Sequence, residues 1–281
     1  MTTTKVRRPL DAAYALGRTP EEYERLRTQA RMWEAPTGRL LDQVGLRSGA
    51  SCLDAGCGPG ETMRAMAERV GPAGRVLGMD VDAPLGAMAV DMLHRAGHRH
   101  CSFRAHDFTT DAPIPGAPFD LVYARLLLFH LPQRVDVLAR LWEAVAPGGH
   151  LLVQEFELRS ISSLPQLDSL AEGLRVVTGA FGAAGADSSA GSRLPQWFTQ
   201  AGVGTPDGTD VAGRLERLAT GSPHLEHVLR SVLPAAVAHG ITTVDDAEAI
   251  LASMDRDVSR FPDRPLLMQL LISAWKRKGQ P

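Results

Sequence analysis

The sequence has little of what disulfide-stabilised, membrane-spanning or nucleic-acid-binding proteins depend on. It contains only three cysteines, Cys52, Cys57 and Cys101, and no Cys-x-x-Cys pair, which argues against a disulfide framework. No apolar run is long enough to cross a bilayer. Lys and Arg together number 30 against 32 Asp and Glu, giving a net charge of −2, so the chain has no surplus of basic residues for a nucleic-acid backbone.

The beginning of the sequence also lacks the apolar segment of a secretory signal peptide. Lys5, Arg7 and Arg8 are followed by further charged residues, among them Asp11 and Arg18. With 44% hydrophobic and 22% charged residues, the composition is that of a soluble globular protein. We therefore expect a cytoplasmic location, a small-molecule partner, and neither a nucleic-acid nor a membrane partner. Self-association into a homo-oligomer is left open.

What the sequence does have is an alternation of short apolar strands and amphipathic helices. Residues 10–45 are predicted to be helical, with a capping box at Thr19-Pro20-Glu21-Glu22. The short connections between the later strands and helices indicate a parallel sheet with helices on both faces. The predicted strands are 50–54, 75–80, 101–105, 119–123 and 150–156.

This regular alternation loosens after Glu157. Helices are predicted near 165–182, 194–201, 222–238 and 244–258, with strands at 208–215 and 266–275. We expect residues 1–45 to form an N-terminal helical cap and residues 46–281 the main domain, with 217–260 inserted in it as a helical lid. Because α/β sheets bind ligands beyond the carboxyl ends of their strands, the cap and the lid are predicted to cover that site.

A glycine-rich loop, Asp54-x-Gly56-x-Gly58-x-Gly60, lies between the first strand and the next helix. Glycines let a ligand approach the backbone closely, so this arrangement predicts a nucleotide-like ligand. A phosphate-binding loop is excluded because its Lys and Ser/Thr are missing. A dinucleotide loop is disfavoured because Glu61 stands where its third glycine is needed, and the charge would face a pyrophosphate.

The loop resembles the first motif of class I S-adenosylmethionine-dependent methyltransferases, and later segments resemble further motifs of that family in the same order. These segments are Leu77–Asp82, His106–Phe108, Phe119–Pro132, Pro147–Leu152 and Gly191–Gly202. The resemblance covers about residues 45–215. It implies an α/β fold with a Rossmann-like, seven-stranded, mostly parallel sheet, S-adenosyl-L-methionine as the cofactor, and methyl transfer as the activity.

The resemblance also implies roles for individual residues. Asp54 would lie near the amino group of the cofactor, Asp80 would accept both ribose hydroxyls, and Asp107 would receive the adenine amino group. Capping of the next helix by Asp54 and a turn role for Asp107 are the alternatives. The implied cofactor-binding residues are Asp54, Gly56, Cys57, Gly58, Gly60, Asp80, Val81, His106, Asp107, Phe108, Ala124 and Arg125.

Other residues are candidates for catalysis and for acceptor binding. His130 and Glu155 are the candidate catalytic bases; a hydrogen bond within the loop and a salt bridge, respectively, are their alternative roles. Tyr14, Tyr23 and Trp33 are predicted to line the acceptor pocket from the N-terminal helices, and ordinary helix packing is the competing interpretation.

The sequence thus predicts methyl transfer to an oxygen, nitrogen or carbon atom of a small molecule, as a tailoring step of specialised metabolism. A base is required only if the acceptor is a hydroxyl. Two alternatives remain: a cyclase or binding protein that holds the cofactor without transferring methyl, and an NAD-dependent reductase, against which Glu61 argues. No metal is expected, since His94, His98 and His100 lie on a helix end and a loop.

Overall fold

The computed structural model describes residues 20–280. These residues form two compact units. The sheet unit comprises residues 20–155, 190–212 and 271–280, and the helical unit comprises residues 156–189 and 213–270. No helix within the described range is both long and apolar enough to cross a membrane.

The helices and strands are numbered in chain order. The helices are α1 (Pro20–Met32), α2 (Glu34–Gln43), α3 (Glu61–Val70), α4 (Ala83–Arg95), α5 (Arg134–Glu143), α6 (Asp168–Ala183), α7 (Ala190–Gln200), α8 (Leu218–Ala238) and α9 (Val244–Arg260). The strands are β1 (Ser51–Ala55), β2 (Arg75–Asp80), β3 (Cys101–Ala105), β4 (Phe119–Arg125), β5 (Val145–Glu157), β6 (Ser162–Ser163), β7 (Gly208–Ala212), β8 (Leu215–Arg217), β9 (Pro265–Leu267) and β10 (Leu270–Arg277).

A seven-stranded sheet in the order β3-β2-β1-β4-β5-β10-β7 forms the centre of the sheet unit. Its first five strands are parallel, whereas β10 and β7 pair antiparallel. Cys52 and Leu53 are neighbours on β1, so their side chains point to opposite faces, and both are fully buried. Both faces of the sheet are therefore covered, and the predicted seven-stranded, mostly parallel sheet is confirmed.

Two helices of the sheet unit begin where strands of the sheet end. Helix α3 starts directly after Gly60, which is left-handed, and buries Met63, Met66 and Val70. Helix α4 starts at Asp82, whose carboxylate accepts a hydrogen bond from the Leu85 amide. The amino ends of both helices therefore lie beside the carboxyl ends of β1 and β2.

The helical unit has a small antiparallel sheet in the order β6-β9-β8 and three packed helices, α6, α8 and α9. Buried residues such as Val176, Leu229 and Leu251 give these helices a common core.

The two units divide the chain differently from the expected cap, main domain and lid. Helices α1 and α2, expected in a cap of residues 1–45, belong to the sheet unit. The expected lid of residues 217–260 belongs to the helical unit together with α6. Whether these segments cover the site stays a prediction.

Candidate functional site

The glycine loop has a backbone that side chains would disturb. Gly56, Gly58 and Gly60 have φ angles of +73°, +48° and +83°, which favour glycine. The amides of Gly56 and Cys57 both donate to the Met79 carbonyl on β2, at 2.8 and 3.0 Å. A Cβ added to Gly60 would lie 2.9 Å from the Ala89 Cβ, so only glycine fits the close approach of α3 to α4.

Asp80 ends β2 with a carboxylate that two backbone amides hold in place. Gly58 donates to Oδ2 at 3.0 Å and Asp82 donates to Oδ1 at 2.9 Å. Burial raises the pKa of Asp80, and these hydrogen bonds oppose the shift. Each oxygen keeps a second lone pair, so the carboxylate remains able to accept two hydroxyl protons.

Tyr23, predicted from the sequence to bind the acceptor, contacts the loop that follows β2. Its hydroxyl donates to Asp82 Oδ2 at 2.9 Å, while Asp82 Oδ1 accepts from the Leu85 amide at 3.0 Å. Because the Asp82 amide in turn holds Asp80, a chain of hydrogen bonds links α1 to the Asp80 carboxylate. The sequence did not point to this contact, since Asp82 has the spacing of an ordinary helix cap.

Tyr23→Phe is expected to weaken the binding of S-adenosylhomocysteine about three- to tenfold, because it removes the hydrogen bond from α1 to the Asp82 carboxylate beside Asp80. Calorimetric titration measures this effect. The Michaelis constant for the acceptor serves as the comparison. A variant with unchanged cofactor affinity and a raised acceptor constant would instead assign Tyr23 to the acceptor pocket.

Asp54 and Arg125 lie at the carboxyl ends of the adjacent strands β1 and β4. Asp54 is 2% exposed, and its Oδ2 has no hydrogen-bond partner among the described residues. Burial raises the pKa of Asp54 to about 7, against the opposing charge of Arg125 and a hydrogen bond from the Met63 amide. Asp54 thus contacts the first turn of α3 through the Met63 amide, whereas Gly60 is the N-cap residue, and one Asp54 carboxylate oxygen stays without a partner among the described residues.

A buried polar network holds Arg125 in place. Its Nη1 donates to Thr37 Oγ1 at 3.2 Å, and Thr37 donates to Gln154 Oε1 at 2.8 Å. Tyr123 also donates to Gln154 Oε1, and Gln154 Nε2 donates to Ser273 Oγ at 2.9 Å. Sequence reasoning missed this network, although a glutamine within the apolar run of β5 was a signal for it.

Arg125 also lines a small cavity of the sheet unit, together with Arg31, Thr37, Glu61 and Thr62.

The segment after β3 returns to Asp80. The His106 amide donates to the Asp80 carbonyl at 3.0 Å, and the His106 ring meets the edge of Phe108 at 4.7 Å. Val81, next to Asp80, is 41% exposed. Asp107 Oδ1 accepts from the Thr109 amide at 2.9 Å, which is the predicted turn role. The side chain of Val81 and the rings of His106 and Phe108 therefore belong to the segments on either side of the Asp80–His106 backbone contact.

His130 lies in the turn that follows β4, and Glu155, on β5, contacts the backbone of that turn. Burial, together with the charge of Arg25, lowers the pKa of His130 to about 4, so its ring is neutral at pH 7. Glu155 is fully buried, and its Oε1 accepts from the Leu128 amide at 2.7 Å. Burial raises the pKa of Glu155 to about 8.

The free energy of unfolding is expected to fall between pH 6.5 and 8. Glu155 has a pKa of about 8 when folded and about 4.3 when unfolded, so the folded state binds more protons in this window. The resulting loss is about 1.4 kcal/mol per pH unit. Asp54, raised to about 7, adds to it at the lower end. His130, lowered to about 4, acts in the opposite direction, chiefly below pH 6.5.

Urea unfolding of the wild type and of Glu155→Gln at both pH values measures this dependence. The variant is expected to lose less stability as the pH rises. Identical slopes for the two proteins would show that the Glu155 carboxyl does not titrate as described.

The other residues considered in the sequence analysis lie in the core, outside the described residues, or in contact with backbone carbonyls. Trp33, between α1 and α2, is 2% exposed and belongs to the core, as the packing interpretation expected. Tyr14 lies outside the described residues. His94 and His100 each contact a backbone carbonyl, of Cys101 and of Ala67. Within residues 20–280 no group of acidic, histidine and cysteine side chains could hold a metal ion.

These residues fit an adenosyl cofactor with a positively charged amino-acid end. Asp80 presents a fixed carboxylate for paired hydroxyls, and Asp54 has a buried, unpartnered oxygen suited to an ammonium group. Glu61, next to Gly60, forms ion pairs with Arg64 and Arg31 at 3.4 and 3.7 Å. Because these arginines offset the charge of Glu61, the carboxyls of Asp54 and Asp80 are the ones that oppose a pyrophosphate and agree with a cationic ligand.

Comparison with known proteins points the same way. Residues 52–149 match the family model described as a methyltransferase domain. The chain is 37% identical over 119 residues to the trans-aconitate 2-methyltransferase of Variovorax paradoxus, covering 42% of this chain and 43% of the relative. It is 35% identical over 113 residues to the nocamycin O-methyltransferase of Saccharothrix syringae, covering 40% of each. The chain thus spans less than half the length of these curated relatives.

Among solved structures, a candidate methyltransferase from Bacillus halodurans shares the fold. Its TM-score is 0.61 at 14% identity, covering 88% of this chain and all of the other. The family match lies within the sheet unit and includes the glycine loop, Asp80 and Arg125. Residues 52–149 of the sheet unit are therefore similar to a methyltransferase domain, and the sheet has the Rossmann-like fold seen in that solved structure.

Proposed function

We propose that the chain transfers a methyl group from S-adenosylmethionine to a small-molecule acceptor, as a tailoring step of specialised metabolism. One observation carries the proposal: the Asp80 carboxylate is fixed by the amides of Gly58 and Asp82 at the carboxyl end of β2. Ligands of parallel α/β sheets bind at that edge. A carboxylate with two oriented oxygens suits the paired hydroxyls of a ribose.

The residues of the site divide between the parts of the cofactor. Asp80 would accept the ribose hydroxyls, and Asp54 the amino group, with Arg125 beside it. The glycine loop would approach the cofactor through its backbone. The adenine would lie near Val81, His106, Asp107 and Phe108. When bound, the cofactor supplies an electrophilic methyl group, so this chain needs chiefly to align the acceptor and to exclude water.

The acceptor atom decides whether a base is needed. One relative is named a trans-aconitate methyltransferase and another an O-methyltransferase, so an oxygen atom of an acid or a hydroxyl is the first candidate, ahead of nitrogen and carbon. A carboxylate is ionised at neutral pH and needs no base. For a hydroxyl acceptor, the neutral His130 ring would accept the proton.

Acceptor choice is proposed to reside in the helical unit and the N-terminal segment. The family model matches residues 52–149 alone, all of which belong to the sheet unit. Residues 156–189 and 213–270 therefore lie outside the part of the chain that the family model matches. The predictions that Tyr14 helps to form the acceptor pocket and that residues 217–260 act as a lid are kept on this ground.

The proposal extends to location and partners. The near-neutral charge of −2 argues against a nucleic-acid partner; a small-molecule partner and a cytoplasmic location are proposed with the methyl-transfer function. Self-association into a homo-oligomer is compatible with it.

Incubation with methyl-labelled S-adenosylmethionine and a panel of carboxylic acids and hydroxylated metabolites tests the function. Mass spectrometry is expected to detect S-adenosylhomocysteine and one labelled product, and Asp80→Ala is expected to form neither at a comparable rate. His130→Ala should slow a hydroxyl acceptor and spare a carboxylate. Binding of the cofactor without any released S-adenosylhomocysteine would favour the cyclase or binding protein.

A further inference from the structure

Glu155 is a buried carboxyl that contacts backbone rather than other side chains. It lies near the carboxyl end of β5 and is 0% exposed. Its Oε1 accepts from the Leu128 amide at 2.7 Å, and the amides of Leu127 and Phe129 are also directed at the carboxyl. Its Oε2 has no hydrogen-bond partner among the described residues. Without exposed surface, this group has no route to an acceptor molecule.

The turn that Glu155 binds also touches the cofactor-binding loop. Leu126, at the start of the turn, has a φ of +57°, and its amide donates to the Gln154 carbonyl at 2.9 Å. The next side chain, Leu127, lies against the glycine loop, with its Cδ1 3.2 Å from where a Cβ on Gly56 would be. A short helical turn, Leu128–His130, follows.

The backbone amides of the turn 127–130 need a hydrogen-bond acceptor on the side of Glu155. The first amides of a helical turn have no partner within the turn, and buried amides without partners cost free energy. A carboxyl oxygen that accepts from the turn fixes its orientation, because a buried amide left without an acceptor costs about 1–3 kcal/mol. Leu126 adds to this need, since a left-handed leucine persists only where its surroundings hold it.

We propose that Glu155 is a positioning residue, not the base: it fixes the turn 127–130, and thereby holds Leu127 against the glycine loop and His130 in the site. This inference rests on the proposed function. It replaces the sequence-based hypothesis that Glu155 accepts the acceptor's proton. The residue acts through the backbone of the turn, so its hydrogen-bond geometry matters and its basicity does not.

The order of cofactor affinity and kcat among three Glu155 variants distinguishes a positioning residue from a base. Glu155→Gln keeps the length and one acceptor oxygen, so a positioning residue tolerates it, with cofactor affinity and kcat within about threefold of the wild type. Glu155→Asp keeps the carboxyl group and withdraws it from the turn by one methylene; we expect a loss of about tenfold or more in both quantities. Glu155→Leu, which removes every acceptor, is expected to lose about ten- to a hundredfold.

Calorimetric titration with S-adenosylhomocysteine and turnover are measured together for each variant. Asp120→Asn and Asp120→Leu are the matched controls. The Asp120 carboxylate accepts a hydrogen bond from the Ser51 amide at 2.8 Å, at the amino ends of β4 and β1 and so at the opposite end of the strands from the site. Both controls should bind as the wild type does.

Two results would overturn the inference. A base predicts the reverse order, with Glu155→Asp retaining more turnover than Glu155→Gln and both binding normally. Wild-type affinity and turnover in Glu155→Leu would show that the turn does not need the carboxyl. If Glu155→Leu does not fold, the order of the Gln and Asp variants still decides. A wild type that binds no S-adenosylhomocysteine contradicts the proposed function instead.

Discussion

Asp80→Ala is expected to weaken the binding of S-adenosylhomocysteine by about a hundredfold or more. The variant removes the acceptors for two ribose hydroxyls, and each hydrogen bond to a charged group contributes about 1.5–3 kcal/mol. It also releases the amides of Gly58 and Asp82, which the carboxylate holds at 3.0 and 2.9 Å. The glycine loop and the start of α4 would therefore lose their common anchor.

Calorimetric titration measures this loss, with Asp91→Ala as the control. Asp91 lies on α4 and forms an exposed ion pair with Arg95, which contributes little. The control should keep wild-type affinity. Equal affinity in Asp80→Ala and the wild type would show that the Asp80 carboxylate does not bind the cofactor.

Gly60→Ala is expected to lower the free energy of unfolding by about 2–4 kcal/mol, from left-handed strain and overpacking together. Gly60 has a φ of +83°, and a Cβ there would come within 2.9 Å of the Ala89 Cβ. Ala89 lies on α4 and is 1% exposed, so neither helix can yield easily. The change therefore forces α3 and α4 apart beside the candidate cofactor site.

Gly45→Ala separates the two contributions to this effect. Gly45 has a φ of +70° and no atom within 4 Å of an added Cβ, so it reports strain alone, about 1–2 kcal/mol. Urea unfolding of both variants gives the difference. An equal loss in both would show that α3 and α4 are not closely packed at Gly60.

The elements that sequence alone predicted are those that short stretches of chain determine. Strands β2 and β3 begin and end where the apolar runs do, the glycine loop could be identified from its spacing, and Asp80 from the resemblance to the methyltransferase family. Strand β5 was expected to begin at His150, because Pro147 and the following glycines are typical of a turn. It begins at Val145, which pairs with Phe119 on β4, a long-range contact that overrides the local pattern.

The parts of the site that sequence could not predict depend on contacts between distant residues. Tyr23 meets Asp82 across 59 positions, and Thr37 meets Gln154 across 117. No local pattern indicates such pairs, so the sequence predicts neither the contact of Tyr23 with Asp82 nor that of Thr37 with Gln154. Glu155 shows the same difficulty: its position at a strand end is visible in the sequence, whereas its hydrogen bond to the Leu128 amide, across 27 positions, is not.

The most direct measurement of the central claim is the melting temperature of the wild type with S-adenosylmethionine, S-adenosylhomocysteine or NAD. A ligand that binds only the folded state raises the melting temperature. Once its concentration exceeds the dissociation constant, the stabilisation grows with the logarithm of the ratio of the two. The account predicts a concentration-dependent rise with both adenosyl ligands, none with NAD, and almost none for any of the three with Asp80→Ala. A rise with NAD equal to that with S-adenosylmethionine, or no rise with either adenosyl ligand, would contradict it.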